Sequence, residues 1–225
     1  MNSQRTLIHG LILGAFCLGF GMLLVMTNGY TKNDIALRAI EDRQNSLAQV
    51  IPDSIHDNNL ATDTLTLKND QGNEVVAYLA TKEGKVTGVA FETSGRGYAG
   101  AIKVMLGVDP EGKILGARVL AHKETPGLGD KIEVKKGDWI LRFTGLSIGN
   151  PPLDKWKVKK DGGQFDQFAG ATITPRGVVK AIREGLQFFD ANKTELMEFK
   201  NDRTKTMDPD AGKAAANDHG AGTER

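Results

Sequence analysis

The chain has 225 residues, Lys+Arg 29 against Asp+Glu 28, and a formal net charge of +1. A balance this close to neutral argues against a nucleic-acid binder, which carries a basic excess. One Cys and four His exclude an intrachain disulfide and any Cys-based zinc or iron–sulfur site, so redox chemistry here calls for an organic carrier. At 40% hydrophobic and 25% charged residues the composition is that of an ordinary globular chain, and the length suits one domain with appendages.

The averages conceal an uneven distribution. After a short N-terminal segment (1–6), residues 7–27 read LIHGLILGAFCLGFGMLLVMT, with no Asp, Glu, Lys or Arg. At about 1.5 Å per residue this run spans roughly 31 Å, the thickness of a bilayer core, and predicts a transmembrane helix. A cleaved signal peptide is the competing reading, but its apolar region is shorter and ends in a small-x-small site. Here the run leaves through Met26-Thr27-Asn28-Gly29-Tyr30. A lipoprotein reading through Cys17 fails because Phe16 precedes it inside the apolar run. Arg5 on one side and Lys32, Arg38 and Arg43 on the other leave the orientation open. Residues 32–52 predict a helical stalk continuing away from the membrane. Asn33 can cap it, Ile35, Ala36, Ile40, Leu47 and Val50 form its apolar stripe, and Pro52 ends it.

Residues 60–195 predict the folded domain. From Thr64 to Lys123 the runs TLTLK, NEVVAYLA, KVTGVAFET, GAIKVMLGVD and GKILGARVLAH are short, β-branched and separated by turn residues, which suits antiparallel hairpins. Residues 137–143 carry a helical pattern. Residues 175–189 carry a stronger one, with Val178, Val179, Ile182, Leu186 and Phe189 on one face, Thr174 as expected N-cap and Pro175 at the first helical position. Strands followed by helices predict an α+β fold with helices on one face of an antiparallel sheet. Residues 200–225 hold five Lys/Arg against five Asp/Glu and little apolar material, and are expected to be disordered.

Three segments can carry chemistry. Gly95-Arg96-Gly97-Tyr98-Ala99-Gly100 matches a dinucleotide fingerprint letter for letter, but a strand-like run follows it where a helix is required, so a turn is the better reading. His122-Lys123-Glu124-Thr125-Pro126-Gly127-Leu128-Gly129-Asp130 combines a His, two carboxylates and ligand-permissive glycines, yet reads equally as a polar turn. Asp166-Gln167-Phe168-Ala169-Gly170-Ala171-Thr172 leads into the predicted helix, whose N-terminus can hold a phosphate. Spacing alone does not separate that site from a simple turn into a capped helix.

These last residues carry a resemblance. DQFAGAT is similar to the Asp-x-x-(Ser/Thr)-Gly-Ala-Thr signature of flavin transferase substrates, matching at Asp166, Gly170, Ala171 and Thr172 and departing at Ala169, which lacks the usual hydroxyl. With YAGAIKVMLGVDPEGKILGARVLAHKETPGLGDKIE and WKVKKDGGQFDQFAGATITPRGVVKAI, the chain to about Phe189 resembles the G subunit of Rnf (Rsx) electron-transport complexes. More distantly it resembles the C subunit of the sodium-translocating NADH:quinone reductase.

The resemblance implies a single-span subunit of the bacterial inner membrane whose periplasmic domain carries FMN as a phosphoester on Thr172. Asp166 becomes a recognition residue for the transferase, while Glu124, Thr125, Gly127 and Leu128 form a loop near the isoalloxazine, beside Gly170 and Ala171. The subunit would relay electrons in a complex coupling ferredoxin and NAD to cation movement or, in some relatives, keep a redox-sensing regulator reduced. Its partners would be the other subunits, the membrane and the flavin transferase, with no metal and no nucleic acid. It would be a redox subunit rather than a stand-alone enzyme. A free-standing periplasmic flavoenzyme and a cofactor-free anchored assembly module are the alternatives.

Overall fold

The computed structural model describes residues 2–198; the tail read as disordered (200–225) lies outside the described residues. Helix α1 runs Asn2–Val50, and five strands follow: β1 Thr64–Lys68, β2 Glu74–Lys82, β3 Lys85–Arg96, β4 Ala101–Val108 and β5 Ile114–Ala121. Short 3-10 turns punctuate the stretch from β5 to α2, Ile173–Ala191, which is followed by α3, Lys193–Met197. By contact density the chain divides into Met1–Ser46 and Leu47–Arg225.

Within the first unit, Ile8–Asn28 is a 21-residue stretch long and apolar enough to cross a membrane. Its large side chains, among them Leu11, Phe16, Phe20 and Leu24, are exposed. Such a surface is costly in water and suits a hydrocarbon environment. The helix runs unbroken through residue 32, and Asn33 lies inside α1. The expected stop before Pro52 holds, since α1 ends at Val50.

The second unit is an α+β domain. Its five strands pair in sequence order, all antiparallel, as a meander. Alternation along each strand sends side chains to opposite faces. Ala77, Leu79, Val89, Phe91, Ile102, Val104, Leu106 and Val108 join Val178, Val179, Ile182, Leu186 and Phe189 of α2 in the main core. The intervening Tyr78, Ala80, Ala90 and Met105 point the other way.

There they pack with Leu47, Val50 and Ile51 in a second core. Helices therefore cover both faces of the sheet, not one as the order of elements suggested. The missed layer comes from the chain preceding the strands, whose last turn lies flat on the sheet at Gly107 and Gly116. A Cβ on Gly107 would sit 2.3 Å from the carbonyl oxygen of Val50. On the opposite face the helix meets the end of β3 just as closely, because a Cβ on Gly95 would fall 2.1 Å from the carbonyl oxygen of Gly177.

Two sequence expectations shift locally. The helical pattern at 137–143 is a 3-10 turn, Trp139–Phe143. Its aromatic residues enter a ring cluster with Trp156, Phe165 and Phe168, with centroids 4.7 Å apart for Phe143–Phe165 and 5.3 Å for Trp139–Phe168. Helix α2 starts at Ile173, so Thr172 holds the cap position and Thr174 lies inside the first turn.

Replacing Gly107 with Val forces the last turn of α1 off the sheet. The expected loss is about 1–3 kcal/mol, the usual range for overpacking. Thermal or denaturant unfolding of the detergent-solubilised protein measures it, and a wild-type midpoint would show that the contact at Val50 is not tight.

Candidate functional site

The start of α2 meets the β3–β4 turn and the loop after β5 around one side chain. Glu124 is 5% exposed. Its Oε1 accepts the Ala99 N–H at 2.9 Å, its Oε2 accepts the Tyr98 N–H at 3.2 Å, and the Thr174 hydroxyl donates to the same Oε2 at short range. Burial by itself favours the neutral acid. The bonds from Thr174, Ala99 and Tyr98, together with nearby His122, outweigh it and hold the Glu124 carboxyl below the ordinary carboxylate range.

Local spacing predicts Thr174 as an N-cap. Its hydroxyl is instead buried and committed to Glu124, a long-range bond that local spacing cannot reveal.

The clasp explains two glycines. A Cβ at Gly97 would lie 2.5 Å from Glu124 Oε1, and one at Gly129 would lie 2.7 Å from Glu124 Cβ. The G-x-G-x-x-G stretch is a turn, closed by the Gly97 N–H donating to the Gly100 carbonyl at 2.7 Å between paired strands. No helix follows it, so the pyrophosphate geometry is missing. His122 is also structural: its Nδ1 accepts the Glu124 N–H at 3.1 Å, which leaves Nε2 to donate to Glu133 Oε1 at 2.8 Å.

Beside the clasp opens a cavity of about 420 Å³ lined by Tyr98, Glu124, Thr125, Leu128, Gly129, Gly170, Ala171, Thr172, Ile173 and Thr174. That size lies within the range of about 300–1,000 Å³ common for small-molecule clefts. Six of the residues singled out from the sequence therefore border one space: Glu124, Thr125, Leu128, Gly170, Ala171 and Thr172. Gly127 and Asp166 do not. Gly127, at φ 78, turns the chain between Thr125 and Gly129, whose N–H returns to the Thr125 carbonyl at 3.0 Å. Asp166 borders a smaller recess with Trp139, Arg142 and Lys159.

Tyr98, Ile173 and Thr174 border the same space outside the sequence expectation for it, and Gly129, one of the two ligand-permissive glycines, lines it as well. The signal for Tyr98 is its place in the glycine-rich turn 95–100, which lies between paired strands. Tyr98 is 73% exposed at the rim, with Leu128 and Ile173 also partly open.

The residues around Thr172 would accommodate the phosphate of a flavin. That side chain stands at the N-terminus of a 19-residue helix, where the first-turn amides have no partner within the helix and the dipole favours an anion. Gly170, in the left-handed region at φ 78, turns the chain into that terminus. Among the described residues, no group of three or more His, Cys, Asp or Glu could hold a metal.

Comparison with known proteins bears on this site. Residues 97–187 match the FMN-binding domain family, and residues 1–50 match the RnfG N-terminal region. The chain is 51% identical over 191 residues to the G subunit of the ion-translocating oxidoreductase complex of Cereibacter sphaeroides, covering 85% of this chain and 87% of that one. It is 44% identical over 194 residues to the protein of the same name from Vibrio vulnificus, covering 84% and 92%. The chain belongs to this G-subunit family.

Among solved structures, it is similar to Shewanella oneidensis NqrC, at 22% identity and a TM-score of 0.43 over 67% of this chain and 73% of that one. The family match at 97–187 spans the β3–β4 turn, the Glu124 loop and α2 to its penultimate turn. It thus takes in every residue that lines the cavity.

Thr174→Ala in this member of the G-subunit family leaves Glu124 short of a donor inside the fold. The expected destabilisation is about 1–3 kcal/mol, with Thr174→Ser close to wild type in the same unfolding experiment. The folded-state pKa of Glu124 is depressed, so its contribution is complete above the unfolded pKa of about 4.3 and is lost as pH falls through the folded value. Stability plotted against pH should therefore fall below about pH 4.3, and Glu124→Gln should flatten that acid limb. An unchanged limb would remove Glu124 as its source.

Proposed function

We propose that this protein is the membrane-anchored flavoprotein subunit of an Rnf-type complex, relaying electrons through FMN attached covalently to Thr172. The observation that carries the reading is the cavity at the start of α2, with Thr172 in its wall inside the stretch matching the FMN-binding domain family. In this reading the Thr172 oxygen carries the phosphoryl group, and the first-turn amides of α2 receive its charge. Gly170 and Ala171 shape the approach. Glu124, Thr125, Gly127 and Leu128 form the loop beside the isoalloxazine. Asp166 belongs to the signature read by the flavin transferase.

FMN, when bound, supplies one- or two-electron transfer, while the protein positions the ring and tunes it. A covalent tether keeps the cofactor at a high effective concentration whatever the strength of noncovalent contact. An open rim of Tyr98, Leu128 and Ile173 is then compatible with retention and leaves the ring accessible to partners. Ile8–Asn28 anchors the chain in the bacterial inner membrane, with the flavin domain in the periplasm. The other subunits of the complex couple ferredoxin and NAD chemistry to cation translocation.

Protein coexpressed with a flavin transferase should show the mass increment of FMN and fluoresce in a denaturing gel under ultraviolet light. Thr172→Ala should abolish both signals. An unmodified wild type removes the covalent reading, and fluorescence retained by Thr172→Ala moves the attachment site. For the orientation, protease added outside spheroplasts should degrade the domain, whereas protection there with digestion in inverted vesicles would reverse it.

A further inference from the structure

The acceptor segment is held at two places, and only one of them is the Glu124 clasp. Before Thr172 the chain lies along the Trp139–Phe168 aromatic cluster, where Asp166 is fastened through both side chain and backbone. Its Oδ1 lies 2.5 Å from Lys159 Nζ and its Oδ2 lies 2.5 Å from Arg142 Nη1. Its carbonyl accepts the Trp139 indole N–H at 2.9 Å. The Lys159 N–H donates to the Phe165 carbonyl at 2.7 Å.

The turn that carries Lys159 is tied onward to α2, because Arg176 donates twice to Asp161 at 2.6 Å. One turn thus grips the acceptor segment through Lys159 and the helix it enters through Arg176.

We propose that Arg142 and Lys159 are positioning residues for the modification of Thr172, acting through Asp166. This rests on the reading that Thr172 accepts FMN. Asp166 does not border the acceptor cavity, and each of its carboxylate oxygens already faces a cation of the same chain. Lys159 and Arg142 together pull that carboxyl below the ordinary range. The two ion pairs and the Trp139 bond fix both the carboxyl and the backbone of Asp166 to the aromatic cluster. In this proposal the signature acid acts through the fold: it pins the segment so that Gly170 delivers Thr172 in one place.

The transfer itself needs that precision. With FAD as the phosphoanhydride donor, a bond forms between Thr172 Oγ and the FMN phosphorus, and the anhydride P–O bond breaks. AMP leaves with the electron pair, and the hydroxyl proton passes to a base on the transferase. Misplacement of an attacking atom by about 1 Å can cost on the order of a hundredfold in rate.

The test is the initial rate of FMN transfer to full-length protein in detergent, with purified flavin transferase and FAD. Arg142→Met/Lys159→Met and Asp166→Asn should each lower kcat by about ten- to a hundredfold, leave KM for the acceptor protein unchanged, and show no further loss when combined. Arg142→Lys should keep most of the rate. Thermal midpoints should move little, since exposed ion pairs contribute little to stability.

If Asp166 is instead a direct contact for the transferase, the double Met variant retains the wild-type rate and Asp166→Asn raises KM. Either result overturns the proposal. A collapse of the thermal midpoint in every variant overturns it too, because the cluster would then hold up the whole domain. A wild type that takes up no FMN is a different failure, that of the covalent reading itself.

Discussion

The carboxylate of Glu124 joins three stretches of chain that are remote in sequence: the β3–β4 turn, the loop after β5 and the first turn of α2. A buried charge is unfavourable unless its lone pairs are satisfied. Two backbone amides and a hydroxyl satisfy them here, all supplied by the chain, so the ionised form is the stable one. The cavity beside Glu124 exists because these three stretches are fixed relative to one another. Gly97 and Gly129 follow from the same constraint, as any side chain there would occupy the space of the carboxylate or its stem.

The sheet beneath is held by a comparable economy of space. At Gly107 the last turn of α1 approaches backbone to backbone, and at Gly95 α2 does so from the opposite side. Between these contacts the alternating apolar residues of β2, β3 and β4 feed one core each. A five-stranded meander with one face solvated would leave Tyr78, Ala80, Ala90 and Met105 uncovered. The chain preceding β1 covers them, so the segment that follows the membrane-length helix is part of the domain's core.

Much of this was legible in the sequence because it is written in local periodicity. The strands of TLTLK and KVTGVAFET, the amphipathic face of α2 and the 21-residue apolar run all announce themselves within windows of about 5–20 residues. The failures share a cause, which is distance along the chain. Thr174 followed by Pro175 is a sound local cap signal, yet Glu124, fifty residues away, takes the hydroxyl and the helix begins earlier. Asn33 is a good cap residue in a helix that does not stop there. Trp139–Phe143 shows helical spacing because its aromatic residues converge on a ring cluster, which a 3-10 turn serves as well. Tyr98 differs: its glycine-rich turn lacks the helix a nucleotide site needs, yet brings the ring to the cavity rim.

The two fastenings of the acceptor segment differ in their physics, and the difference bears on how such a site can mature. The clasp at Glu124 is buried and hydrogen-bonded to neutral donors, so salt screens it little and acid alone undoes it. The pin at Asp166 is exposed and ionic, individually weak in stability terms. A segment fixed firmly at the helix end and lightly at the other keeps Thr172 in register. In the proposed reading it could still yield when a transferase reaches the hydroxyl over the rim of Tyr98 and Leu128. Rigid fixation at both ends would present the same hydroxyl from a cavity whose walls could not part. In that reading a phosphoester on Thr172 would make retention independent of the walls, and the open rim would let electrons pass to a partner.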